Sequence, residues 1–394
     1  MNELTPVNIL LAFDKFKHAM SAHEACHSAH EALQRSHPKW HIRETPLSDG
    51  GEGFCKILTQ AAKGKLLQTT VTGPLGKPIQ AHFGLVQGKH IPINLKNCFG
   101  IEASETLGII EMAQASGLMH VPGAQKKPYQ ATSRGTGELL LQAAEAGAQA
   151  LLLGIGGSAS NDLGLGALEA VGLQVNYEDT KQLPISPQNW DRITSINSAL
   201  LKQLPPLFIA CDVNNPLLGP EGATRIYGPQ KGIQSETDVT FFETHLGNLA
   251  HMLCKTFEQD CSIITEAGSG AAGGIACGLR IAYQATILPG FVLIAQWLDL
   301  EKAVAWADII LTGEGRFDSS SLQGKGPGSI IKMALKHNKP VEVFAGCIDE
   351  ASTAQLPEQI KLHCISSDEK DMQAAINQSQ RNLNHCVTKR FQAG

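Results

Sequence analysis

The chain is poor in charge: of its 394 residues only 18% are Asp, Glu, Lys or Arg, while 43% are hydrophobic. That balance excludes a disordered chain and implies large buried cores, with enough length for two domains. Lys and Arg are scattered and the formal net charge is −5. With no basic stripe, neither nucleic acid nor an anionic membrane is an expected partner. No apolar stretch is long enough to span a bilayer. The N-terminal run "NILLAF" is broken by Asp14, too early for a signal peptide, and no small-residue cleavage site follows it. The ten cysteines include no CxxC pair, and Cys211 and Cys277 sit inside apolar runs. Reduced thiols in a cytoplasmic protein are therefore expected, rather than zinc or disulfides. The histidines show no metal-ligand spacing. There is no G-x-x-x-x-G-K-[ST] match, and "LQGKGP" (322–327) lacks both the leading glycine and the Ser or Thr, so a Walker-type nucleotide fold is excluded.

What is present is an alternation of short apolar strands with helical patterns. "NILLAF" (8–13) leads to a helix from Ser21, where Ser21 and Glu24 form a capping box and Ala22, Ala25, Ala29 and Leu33 make one apolar stripe. "ALLLGIG" (150–156), "LFIAC" (207–211), "DIILTG" (308–313) and "PVEVFAG" (340–346) repeat the strand signal, with helices expected from about Asn161 and about Pro327. This is α/β architecture with mainly parallel strands. Residues 66–95 instead alternate with period two between turn residues and predict antiparallel strands. The expected organisation is two domains. One is a Rossmann-like parallel-sheet domain formed from both termini, 1–69 plus 295–394, and the other an inserted mixed α/β domain, 70–294.

Ligands of open α/β sheets bind beyond the carboxyl ends of the strands. Five such ends carry carboxylates: Asp14 with Lys15 and Lys17; "SDGGEG" (48–53) with Asp49 and Glu52; "GGSASND" (156–162); "DVNNP" (212–216) with Asp212 and Asn214; and "GEGRFD" (313–318) with Glu314, Arg316 and Asp318. One such loop is ordinary turn chemistry, but five together point to a site. Three readings compete. "GIGGSA" (154–159) fits a dinucleotide fingerprint with Glu178 and Asp179 as the ribose acid, and "GSGAAG" (268–273) fits it too, yet two matches so far apart cannot open the same unit. That reading gives a nicotinamide-dependent dehydrogenase of a small hydroxy acid. A second is phosphoryl transfer, which needs phosphate donors, a cation, carboxylates for Mg²⁺ and a group acting on the accepting hydroxyl. A third is a non-enzymatic sensor of a small acid, which leaves the carboxylates unexplained.

Taken together, "AFDKFKHAMSA", "PLSDGGEGF", "VTGPLGKPI", "IEMAQASGL", "TSRGTGELL", "GIGGSASNDLG", "ACDVNNPLLGPEGAT" with "YGPQKG", "GSGAAGGIACGL" and "LTGEGRFDSSSLQGKGP" resemble, in order and over nearly the whole chain, the class I bacterial glycerate kinases. The resemblance implies ATP-dependent phosphorylation of D-glycerate to 2-phosphoglycerate with Mg²⁺, and an active site in the cleft between the two domains. His18, Ala19, Met20 and Phe54 depart from the family's usual residues, and residues 94–118 run longer than its usual approach to the "EMAQASGL" block. On this footing the catalytic candidates are Asp212, Asp49, Lys17 and Asp318. Phosphate or substrate contacts are expected from Lys15, Gly156, Gly157, Ser158, Asn161, Asn214, Gly270, Ala271, Gly273, Glu314, Arg316 and Lys325. Asp49 and Glu52 are the candidates for Mg²⁺. Oligomeric state is left open, a homo-oligomer among the options.

Overall fold

A computed structural model describes residues 6–123, 126–178, 183–319, 321–323, 326–349, 356–366 and 372–392. The chain divides into two compact units, residues 1–49 with 294–394 and residues 50–293. Among the described residues there are thirteen strands, numbered along the chain.

In the first unit, β1 (Asn8–Phe13), β2 (His41–Glu44), β11 (Ile309–Phe317), β12 (Val341–Ile348) and β13 (Ile360–Cys364) form an all-parallel sheet in the order β13-β12-β11-β1-β2. Parallel strands are buried on both faces, which is why β1 reads as an unbroken apolar run. Ile9, Leu11 and Phe13 pack beneath the helices Ala22–Ser36 and Ser379–Gln392. The expected capping box starts the first of these, with Ser21 Oγ accepting from the Glu24 N–H and the Glu24 carboxylate accepting from the Ser21 N–H. Leu10 alternates to the other face, where Leu300–Trp306 and Gly326–Lys336 pack. The chain therefore leaves β1 and β11, which are neighbours, toward opposite faces. That divergence is the topological switch point at which open α/β sheets form a ligand crevice.

In the second unit, β3 (Lys65–Thr72), β4 (Pro78–Gln87), β5 (Thr106–Glu111), β6 (Ala150–Gly154), β9 (Leu207–Ala210) and β10 (Thr286–Leu288) form a sheet ordered β10-β9-β6-β5-β4-β3. Its first four strands are parallel, β4 runs antiparallel to β5, and β3 runs antiparallel to β4. β7 (Gln174–Tyr177) and β8 (Ile193–Asn197) make a separate antiparallel pair. The alternating segment 66–95 thus supplies β3 and β4. Pairing of β3 with β4 puts residues 65–72 in the second sheet, and the units divide at 49/50 where the sequence suggested 69/70. The longer segment opens within a short helix, Ile93–Phe99, that precedes β5. Among the described residues no helix is long and apolar enough to cross a membrane.

Candidate active site

Beyond β1 the chain does not continue as an extended strand. Phe16 N–H donates to the Met20 carbonyl at 2.8 Å, and His18 adopts a positive φ of 65° to close the turn. Lys15 and Lys17 both line a single cavity of about 1020 Å³ lying wholly within the first unit. Asp14, Asp49, Glu314 and Arg316 line it as well. Lys15 Nζ is 3.2 Å from Asp49 Oδ1. Asp14 is nearly buried, and a Cβ placed on Gly326 would lie 2.7 Å from its Oδ2, so its carboxylate stands at the start of helix Gly326–Lys336, where the dipole favours an anion. Glu314 Oε1 is buried with no hydrogen-bond partner among the described residues. Burial pushes the Glu314 carboxyl up to about 7, with the neighbouring Asp14 and Asp318 charges adding to it and a Ser321 hydrogen bond opposing. Asp318 stands 3.4 Å from Arg316 Nε, and its N–H donates to Ser321 Oγ. Lys325 lies outside the described residues, as does Asp179 of the dinucleotide reading.

A second cluster lies in the other unit, at the carboxyl ends of β5, β6 and β9. Glu111 pairs in register with Gly154, and Gly154 with Ala210, so these three ends stand side by side. Residues 50–53 cross them. Gly156 N–H donates to the Gly50 carbonyl at 2.9 Å, and a Cβ on Gly156 would fall 2.6 Å from Gly51 Cα. The glycines of "DGGEG" and "GIGGS" are thus spent partly on each other. Gly157 differs: its φ is +75°, and the nearest atoms to a Cβ there are Ala113 Cβ at 3.5 Å and Glu52 Oε1 at 3.9 Å. Glu111 is fully buried and accepts from Cys55 N–H and Gln114 Nε2. Burial lifts its carboxyl to about 7, and the charge of Glu52 contributes in the same direction.

Under the glycine loop sits Lys231, the last residue of helix Ala223–Lys231, and it is almost wholly buried. Its Nζ donates to Ser158 Oγ at 2.9 Å and to the Ser160 carbonyl at 2.6 Å. Burial holds its pKa down at about 7, partly opposed by the Asp162 charge. Asn161 Nδ2 donates to Thr224 Oγ1 at 3.0 Å, while Ser160 Oγ and Asn161 Oδ1 are buried with no partner among the described residues.

Several expectations change. The helix foreseen from Asn161 begins at Leu165, because the Asp162 carboxylate accepts from Gly164 and Gly166 N–H as well as from Ser133 N–H and Oγ. That helix end is therefore satisfied by the protein's own anion. At Gly270, Ala271 and Gly273, expected to shape a second anion cradle, the structure shows close backbone packing. Ala272, Gly273 and Gly274 are left-handed, Gly273 O accepts from Leu163 N–H, and a Cβ on Gly273 would meet Ser160 O at 2.3 Å. The segment packs directly on the first glycine loop. A Cβ on Gly270 would likewise strike Pro216 O. Asp212 Oδ2 accepts from Phe291 N–H at 2.8 Å at the start of helix Gly290–Trp297, and Asn214 is exposed. Asp49 and Glu52, paired in the metal expectation, fall in different units. Among the described residues no three of His, Cys, Asp and Glu gather closely enough to hold a metal by themselves.

Sequence reasoning passed over Glu111 and Lys231. The strand-end rule could have found Glu111, the last residue of "TLGIIE". Nothing local marked Lys231, since a lysine ending a helix before glycine is ordinarily a solvated partner of the dipole.

Known proteins bear on this geometry. A profile of the Glycerate kinase family matches residues 9–393. A glycerate kinase of Bacillus subtilis (strain 168) is 36% identical over 355 residues, 88% of this chain and 87% of that protein. A glycerate 2-kinase of Escherichia coli (strain K12) is 35% identical over 347 residues, 87% and 86% of the two chains. A crystal structure from Salmonella typhimurium LT2, assigned as a glycerate kinase 2, superposes with a TM-score of 0.71 at 30% identity and covers 99% of both chains.

Proposed function

Given that the chain belongs to the glycerate kinase family and is a kinase acting on an alcohol group, we propose that it transfers the γ-phosphoryl group of ATP to D-glycerate and forms 2-phosphoglycerate. The observation that carries this reading is the first-unit cavity, where three cationic side chains and three carboxylates line one space at the switch point. Phosphoryl transfer asks for that mixture, cations against phosphate oxygens and carboxylates to hold a metal.

In the step itself the glycerate hydroxyl oxygen bonds to the γ-phosphorus, the bond from that phosphorus to the β,γ-bridging oxygen breaks, and the hydroxyl proton passes to a protein base. Lys15, Lys17 and Arg316 act on phosphate oxygens, the stabilisation that contributes most in such reactions. Mg²⁺ usually takes only one or two protein carboxylates and completes its shell with water and substrate phosphate. Glu314, with its unpartnered buried oxygen, fits that requirement, and Asp14 and Asp49, which accept from Lys15 N–H and Lys15 Nζ, line the same space beside it. Bound there, Mg²⁺ would offset charge on the β- and γ-phosphates. Asp212 is the proposed proton acceptor. One of its oxygens is held by Phe291 N–H, which fixes the carboxylate's orientation. The Gly157 backbone and Ser158, supported by Lys231, are proposed to hold the glycerate carboxylate. A cytoplasmic setting suits the ten free thiols.

The test is ADP release followed by a coupled assay. It should require ATP, D-glycerate and Mg²⁺ together. A nicotinamide-dependent absorbance change with glycerate would replace the proposal with a dehydrogenase, and tight glycerate binding without ADP would replace it with a sensor.

A further inference from the structure

The first-unit cavity is much larger than a three-carbon acid needs. Its volume of about 1020 Å³ stands at the top of the roughly 300–1,000 Å³ range of pockets that bury whole drug-sized ligands. Its lining is also divided along the sheet. The charged residues Lys15, Lys17, Glu314 and Arg316 follow or end β1 and β11, whereas Ile348 ends β12, Ile365 follows β13, and Ala375 and Ile376 come from helix Met372–Asn377. In the order β13-β12-β11-β1, the span from the charged strand to the outer apolar one is three strand spacings, about 14 Å. That distance matches a nucleotide extended from its base to its terminal phosphate.

Between the two ends Gly315 and Gly346 both line the cavity, beside Arg316 and Cys347. With no side chain at these two positions, there is room for a sugar between the charged and apolar ends.

We infer that this cavity is the nucleotide site, with the purine base among Ile348, Ile365, Ala375 and Ile376 over β12 and β13 and the phosphates directed toward Lys15, Lys17 and Arg316. The assignment rests on the kinase reading and adds to it which part of the chain takes ATP and in which direction it lies.

Cys347 is exposed and lines the cavity, which makes it a reporter that does not depend on turnover. In the full-length protein, saturating MgADP should slow alkylation of Cys347 by iodoacetamide about tenfold or more, read by mass spectrometry. Glycerate alone should leave the rate within about twofold, and Cys98, exposed in the second unit, should be unaffected by either. Ala375→Trp, which fills the apolar end, should raise the Kd for MgADP at least about tenfold while the KM for glycerate stays within about threefold. If that variant does not fold by circular dichroism, Ala375→Leu takes its place, and the alkylation result on the parent protein stands regardless. Calorimetric binding of MgADP with unprotected Cys347 would overturn the assignment and leave the kinase reading intact. Protection by glycerate in place of nucleotide would also overturn it, and failure of any nucleotide to bind would overturn both.

Discussion

Lys231→Met separates a residue that shapes the site from one that merely holds the fold. Lys231 Nζ donates to Ser158 Oγ at 2.9 Å and to Ser160 O at 2.6 Å. Methionine keeps nearly the same length, so the substitution opens little space. Losing two charge-assisted bonds costs about 1.5–3 kcal/mol each. Opposing that loss, burial holds the lysine pKa near 7 against 10.5 for the free side chain, a penalty of about 5 kcal/mol at about 1.4 kcal/mol per pH unit. The terms nearly cancel, so at pH 7 the unfolding free energy should change by no more than about 2 kcal/mol, a few degrees in Tm. Turnover should fall about 10²-fold, the effect of a site displaced by about 1 Å. The pH dependence fixes the sign. Between pH 7 and 10.5 the unfolded lysine keeps its proton while the folded one has lost it, so the unfolded state binds more protons and stability rises with pH. Below pH 7 both are charged and the penalty is at its full, constant value. The parent protein should therefore gain stability relative to Lys231→Met as pH climbs from 7 to 9.5, and ionising thiols and phenols common to both proteins cancel in the difference. Thermal melts at half-unit pH intervals, paired with kinase rates, test this. A flat difference curve, or a variant with parent-like kcat, would refute the reasoning.

Two further substitutions probe the loops. Gly157→Val should cut turnover far more than stability, because φ of +75° costs an L-residue about 1–2 kcal/mol, while the β-branched side chain blocks close approach of an anion to the backbone. Gly156→Ala should instead lower Tm, since its Cβ would lie 2.6 Å from Gly51 Cα. If Gly157→Val unfolds outright, or keeps full activity and unchanged substrate affinities, the loop is not a binding element. Asp212→Asn should leave Tm unchanged, because the amide oxygen still accepts from Phe291 N–H, and should lower kcat by roughly 10²- to 10⁴-fold as expected for a lost base. A kcat within a few-fold of the parent would move the role to Asp49 or Asp318.

How much of this was legible in the sequence depended on whether the signal was local. "NILLAF", with its Ser21–Glu24 capping box, and the alternating segment that became β3 and β4 were readable, because burial pattern and end chemistry act within a few residues of each other. The strand-end rule gathered Asp14, Lys15, Lys17, Asp49, Glu314 and Arg316, which line one cavity. Local pattern is silent where a residue's partner is remote. Gly156 and Gly273 read as ligand cradles, and nothing nearby in the sequence shows that a Cβ on each would also meet another backbone, Gly51 in one case and Ser160 in the other. Asp162 looked like part of an open anion loop but caps its own helix. Lys231 lies 73 residues from Ser158 in the chain, and no spacing rule connects a helix-terminal lysine to a loop so distant.

Transfer of phosphate from ATP to the C2 hydroxyl of glycerate can be read in the ³¹P NMR spectrum of the product formed from ATP, D-glycerate and Mg²⁺. A phosphate on C2 couples to a single methine proton, and one on C3 to two methylene protons. Transfer to C2 should give a new phosphomonoester doublet appearing in step with ADP. A triplet would mean that the other hydroxyl is phosphorylated, and ADP with inorganic phosphate but no phosphomonoester would contradict phosphoryl transfer to glycerate altogether.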